Sequence, residues 1–119
     1  MKKILVVDDS PVARSFHINI LKTSGYLVDG AGDGIEALEK SLSKYFDLIL
    51  CDVNMPNMDG LTFIEKYRQE ERETPVIVIS TQEESIHKEK GYDAGANLYL
   101  VKPVKPVDLV MHIKMLIGE

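Results

Sequence analysis

Four short runs rich in aliphatic and β-branched residues, at positions 4–7, 48–51, 76–79 and 98–101, show no polar alternation. A strand with one wet face alternates apolar and polar side chains, because successive side chains point to opposite faces of the sheet. Uninterrupted apolar runs of this length fit strands covered on both faces, as in a parallel sheet with helices on each side. A fifth and weaker run around residues 26–28 reads as an edge strand.

Segments of helical length separate these runs. In the first, Ser10 can cap, Pro11 suits the first turn and Gly25 ends it. Its apolar face is expected to hold Val12, Ala13, Phe16, Ile20 and Leu21. A second helix is expected over residues 34–44 with Ala37, Leu38 and Leu42 inward, and a third over 61–71 with Phe63, Ile64 and Tyr67 partly buried. A fourth occupies part of 83–94. The fifth runs from Pro106 towards Ile117 with Val107, Val110, Met111, Ile113, Leu116 and Ile117 on a broad apolar face. Alternation of this kind implies βαβ units with right-handed crossovers, hence an α/β, doubly wound, open five-stranded parallel sheet. The 119 residues fit one domain, 1–119, so output is expected from that domain's own surface.

Charge and composition narrow the function classes. With 14 Lys and Arg against 19 Asp and Glu, the formal charge is -5, which gives no general attraction to nucleic acid or an anionic membrane. Neither partner is expected. The lone Cys51 lies in an apolar run and reads as a small core residue. Met1, Lys2 and Lys3 followed by four apolar residues imitate a signal peptide, but Asp8 and Asp9 end that stretch too early, and no run can span a bilayer. A cytoplasmic location is expected. His17, His87 and His112 are widely spaced and read as exposed helix residues.

Each strong apolar run leads directly into a polar residue: Asp8 and Asp9, then Asp52, then Ser80, then Lys102. In open parallel sheets ligands bind beyond the carboxyl ends of the strands, where the strand order reverses, so these residues are expected to converge. Carboxylates about 5 Å apart repel by roughly 3 kcal/mol per pair at an effective dielectric near 20. A hard divalent ion relieves that repulsion through oxygen ligands, and Mg²⁺ keeps waters and binds phosphate while doing so. Lys102 offers a mobile positive charge for a phosphoryl oxygen, and Ser80 a hydroxyl donor. Asp52 can act as a nucleophile forming an aspartyl phosphate, with Asp8 and Asp9 better placed to hold the metal.

Four pieces together, Val6-Val7-Asp8-Asp9-Ser10, the run from Asp52 to Gly60, residues 75–80, and Leu100-Val101-Lys102-Pro103, resemble the receiver domain of two-component response regulators, of the CheY-like stand-alone type. The resemblance implies a flavodoxin-like sheet in strand order 2-1-3-4-5. It implies Asp52 as phosphoacceptor, and Asp8, Asp9, Asp52 and the Asn54 backbone carbonyl as ligands of Mg²⁺ or Mn²⁺. Ser80 and Tyr99 would be the switch residues, Lys102 would bridge to the phosphate, and the Lys102-Pro103 peptide would be cis. The donor would be a phosphohistidine on a sensor histidine kinase, or a small acyl phosphate. The chain would be a phosphoacceptor switch that assists its own phosphorylation and dephosphorylation, rather than an enzyme acting on an external substrate. Partner binding would change on the face formed by the fourth helix, fifth strand and fifth helix of a monomer, in chemotaxis or in a relay to a histidine phosphotransfer protein. Two positions depart from the pattern: Thr81, where Ala or Gly is usual and whose bulk is expected to slow small donors, and Val104, where Phe is usual.

The rival of another class is an aspartyl-phosphate-forming phosphohydrolase. Such enzymes need elements that enclose a substrate, and nothing here forms a lid. A nucleotide or flavin binder is disfavoured because no Gly-rich phosphate loop follows the first strand. The run from Asp52 to Gly60 fails as a calcium loop, lacking Gly at its sixth position.

Overall fold

The computed structural model describes residues 1–119. Five strands alternate with five helices: β1 (Lys3–Val7), α1 (Pro11–Thr23), β2 (Leu27–Ala31), α2 (Gly34–Ser43), β3 (Leu48–Cys51), α3 (Gly60–Glu70), β4 (Val76–Ser80), α4 (Ser85–Ala94), β5 (Leu98–Val101) and α5 (Pro106–Ile117). All pairings are parallel and the order is β2-β1-β3-β4-β5. The sheet is the doubly wound, flavodoxin-like one expected.

Side-chain alternation splits the core in two. Leu5, Val7, Ile49, Cys51, Val76 and Val78 pack with Ala37, Phe63, Ile64 and Tyr67 from α2 and α3. Ile4, Val6, Leu48, Leu50, Ile77 and Ile79 pack with Leu21, Leu109 and Ile113 from α1 and α5. Every residue of β3 and β4 is buried, which accounts for the absence of polar alternation there. Each fully buried Leu, Ile or Val contributes about 1.5–3 kcal/mol relative to exposure.

Helix ends follow local chemistry. Ser10 Oγ accepts the Ala13 N–H at 3.2 Å, with Pro11 in the first turn, and Gly25 follows the helix at φ 97°. Asp33 and Asp59 cap α2 and α3 in the same way, through the Glu36 and Thr62 N–H groups.

Several expectations are corrected. On α1, Val12 and Phe16 are 81% and 52% exposed, whereas His17, read as exposed, is buried. Apolar residues wrap around this helix, so their spacing does not fix its phase, and the face that meets the sheet carries Leu21 and His17. The same holds for Leu42 on α2 and for Val107 and Met111 on α5, all of them exposed, while Ser41 and Leu109 are buried. β5 takes the edge place that the implied strand order gave it, but its faces, read as covered, leave Leu98, Leu100 and Val101 only partly buried.

Candidate functional site

The strand order reverses at β1 and β3, the first and third strands in sequence but neighbours in space. Asp8 and Asp52 continue these two strands, and the ladder extends to them: Asp8 N–H donates to Ala31 O at 3.0 Å and Asp52 N–H to Val7 O at 2.9 Å. Backbone pairing therefore sets their spacing. Oxygens of Asp8, Asp9 and Asp52 all lie within 4.8 Å of one another. Asp8 is buried, Asp52 half-buried and Asp9 exposed, so the cluster opens to solvent on one side.

Lys102 enters from β5. Its N–H donates to Ser80 O at 2.8 Å, and its ammonium lies 3.2 Å from Asp8 Oδ2 and 3.3 Å from Asp52 Oδ2. The Lys102-Pro103 peptide is cis. Burial works against the charge on Lys102, but the carboxylates of Asp52 and Asp8 outweigh it and raise its pKa. Burial also raises the pKa of Asp52, aided by Asp8, and neither Lys102 nor the Val53 N–H on Oδ1 restores it to the ordinary value. An excess of negative charge thus stays at the site, where three carboxylates face one ammonium that bonds two of them. Hard oxygen donors this close, with net negative charge and an open side, fit a divalent cation of the Mg²⁺ type.

Ser80, at the end of β4, is fully buried, and its Oγ accepts the Gln82 N–H at 3.1 Å. Tyr99 points inward and its hydroxyl donates to Gln82 O at 2.7 Å. Asn54 is exposed in the loop after β3. That loop is pinned at its far end: Asn57, at φ 68°, donates from Nδ2 to Asp33 Oδ2 at 2.7 Å. Gly60 N–H donates to Val53 O at 2.8 Å, and a methyl group at Gly60 would be driven into the Asp52 carbonyl oxygen, so only glycine fits there. Cys51 Sγ lies beneath, buried, with its thiol pKa pushed well up by burial and the neighbouring carboxylates; it is an inert core group.

Sequence reasoning missed Arg14. Its Nη1 donates to the Asp8 carbonyl at 2.7 Å, and its side chain crosses β2 where Gly30 and Gly32 leave room. Two glycines near the end of an edge strand are the signal for such a close approach.

The model of the response regulator receiver domain matches residues 4–114. The chain belongs to this family. As a receiver domain of two-component response regulators it is 37% identical over 115 residues to the transcriptional regulatory protein ResD of Bacillus subtilis, a match spanning 97% of this chain and 48% of ResD. The chain spans about half or less of the length of the curated relatives it matches. Among solved receivers, the chemotaxis protein CheY4 of Vibrio cholerae superposes with a TM-score of 0.93 at 37% identity, covering 98% of each chain. The response regulator TrrA of Thermotoga maritima, solved in complex with Mg²⁺ and beryllofluoride, gives a TM-score of 0.90 at 32% identity, covering 98% of this chain and 99% of TrrA. No helix of this receiver is long and apolar enough to cross a membrane.

Proposed function

We propose that this receiver is a switch operated by phosphorylation of Asp52, with a sensor histidine kinase as donor and Mg²⁺ as cofactor. The observation that carries this reading is the single basket in which oxygens of Asp8, Asp9 and Asp52 lie within 4.8 Å while Lys102 bonds both Asp8 and Asp52. Asp8 and Asp9 would hold the metal with Asp52 and the Asn54 carbonyl. When bound, the ion offsets the charge of the three carboxylates and of the phosphoryl oxygens.

A carboxylate oxygen of Asp52 attacks phosphorus as the P–N bond of the phosphohistidine breaks, its electron pair returning to the imidazole nitrogen. The surplus negative charge spreads over phosphoryl oxygens, where positioned cations contribute most. Lys102, already bonded to Asp52, follows the charge onto one of them. The Ser80 hydroxyl donates a hydrogen bond to another. Incubation with Mg²⁺ and a phosphoramidate or acyl phosphate should add one phosphoryl group, by intact mass and by peptide mapping to Asp52. Continuous turnover of an external phosphate ester would favour the phosphohydrolase instead.

Metal binding should be pH-dependent. Burial holds the Asp52 proton above the ordinary carboxylate range, and a ligand must be deprotonated. Mg²⁺ affinity measured by calorimetry should therefore fall as pH drops from about 7 to about 4, the loss setting in above the ordinary aspartate value of about 3.9. A flat profile over that interval would contradict the placement of Asp52 among the ligands.

Thr81 is exposed directly after Ser80. If its bulk narrows the approach to Asp52, Thr81→Ala should take phosphate from a small acyl phosphate a few-fold faster than the native chain. An unchanged rate removes Thr81 from the account.

A further inference from the structure

α4 is weakly held to the sheet. Its only buried residues are Gly91 and Ala94, and no side chain caps its first turn. Besides the contact of Ala94 with the core, a hydrogen bond ties it to β5: the Tyr99 N–H, on this edge strand, donates to the Tyr92 hydroxyl at 3.2 Å. Gly91 lies flat against the same residue, since a methyl group there would come within 2.9 Å of Tyr99 Cδ2. From Tyr99 the path continues, its hydroxyl donating to Gln82 O at 2.7 Å and the Gln82 N–H donating to Ser80 Oγ at 3.1 Å. In this bond the Ser80 hydroxyl is the acceptor, which leaves its own proton to give. Three hydrogen bonds, joined through the Tyr99 side chain and the Gln82 backbone, therefore link α4 to the Ser80 hydroxyl.

We propose that Tyr92 is a positioning residue for Ser80: by holding the Tyr99 backbone against α4, its hydroxyl keeps Tyr99, Gln82 and Ser80 in register to donate to a phosphoryl oxygen. The proposal rests on the reading of Asp52 as phosphoacceptor. Ring packing alone would survive loss of the hydroxyl, whereas a hydrogen-bonded tie would not, so Tyr92→Phe isolates the one atom that matters.

The experiment compares native protein, Tyr92→Phe, and Tyr45→Phe as an exposed control. Amide exchange at Tyr99 should quicken roughly two- to tenfold in Tyr92→Phe, the range set by loss of one hydrogen bond. Affinity for beryllofluoride in the presence of Mg²⁺ should fall by a similar factor, while affinity for Mg²⁺ alone stays unchanged, a split that general loosening of the fold would not produce. Gly91→Ala, which crowds the Tyr99 ring, should weaken beryllofluoride binding in the same direction. Unchanged exchange at Tyr99, or faster exchange with unchanged beryllofluoride binding, overturns the proposal while leaving Asp52 as phosphoacceptor. Native protein that binds no beryllofluoride overturns both.

Discussion

Asp52→Asn should abolish phosphoryl uptake and at the same time make the metal-free protein more stable. The first half follows because an amide is no nucleophile toward phosphorus. The second follows from the raised pKa of Asp52. A carboxyl that holds its proton more tightly when folded binds more protons in the native state than in the unfolded one, over the interval between its two pKa values. Stability therefore falls as pH rises through that interval, and the full penalty applies at neutral pH. Loss of water around the half-buried carboxylate is the largest cost, Asp8 adds to it, and Lys102 offsets only part, so removing the charge should stabilise by about 1 kcal/mol. Asparagine keeps an oxygen for the Val53 N–H. Saturating Mg²⁺ should reverse the order, because the native chain gains about 2.7 kcal/mol at one hundred times its dissociation constant and a variant with weakened affinity gains less. Urea unfolding with and without Mg²⁺ reads both signs, and a metal-free variant less stable than the native protein would refute the electrostatic account.

Lys102→Met should act in the opposite sense and more strongly. The ammonium is the one cation bonded to the side-chain carboxylates of Asp8, which is 2% exposed, and of Asp52. Removing one partner of a buried pair costs about 3–5 kcal/mol, because the remaining charge is left desolvated. The raised pKa of Lys102 means that its contribution is fully present below the ordinary lysine value and is lost only as pH rises through the folded one, so the whole loss should appear at neutral pH. Mg²⁺ should return much of the lost stability, since a divalent ion neutralises the same carboxylates, and the apparent Mg²⁺ affinity should increase. A destabilisation of equal size with and without metal would mean that Lys102 serves packing rather than charge.

Strand number and sheet class were legible because β1, β3 and β4 are apolar on both faces and end in a polar residue, a pattern that leaves few architectures open. The meeting of Asp8, Asp9, Asp52 and Lys102 was legible for the same reason, since strand ends in a parallel sheet share one rim; the chemical roles assigned to them rest on the proposal above. Helix phase was legible on α3, where Phe63, Ile64 and Tyr67 are buried as expected, but not on α1 or α5. α1 and α5 carry apolar residues around most of their circumference, and only packing against the sheet selects Leu21 and His17, or Leu109 and Ile113, as the buried set. The edge position of β5 came from the strand order that the resemblance implied and not from the run itself, since a four-residue apolar run reads the same whether one neighbour or two flank it. Arg14 over β2, and Tyr92 bonded to Tyr99, depend on tertiary approach between elements that periodicity treats one at a time.

Because Asp8, Asp52, Ser80 and Lys102 all stand where strands end, the opposite rim of the sheet is free for practical use. The exposed stretch Ser43, Lys44 and Tyr45, which leads into the start of β3, offers an attachment point for a fluorophore or a sensor-chip tether. Immobilised there, the molecule would present its reactive rim outward to whatever flows past.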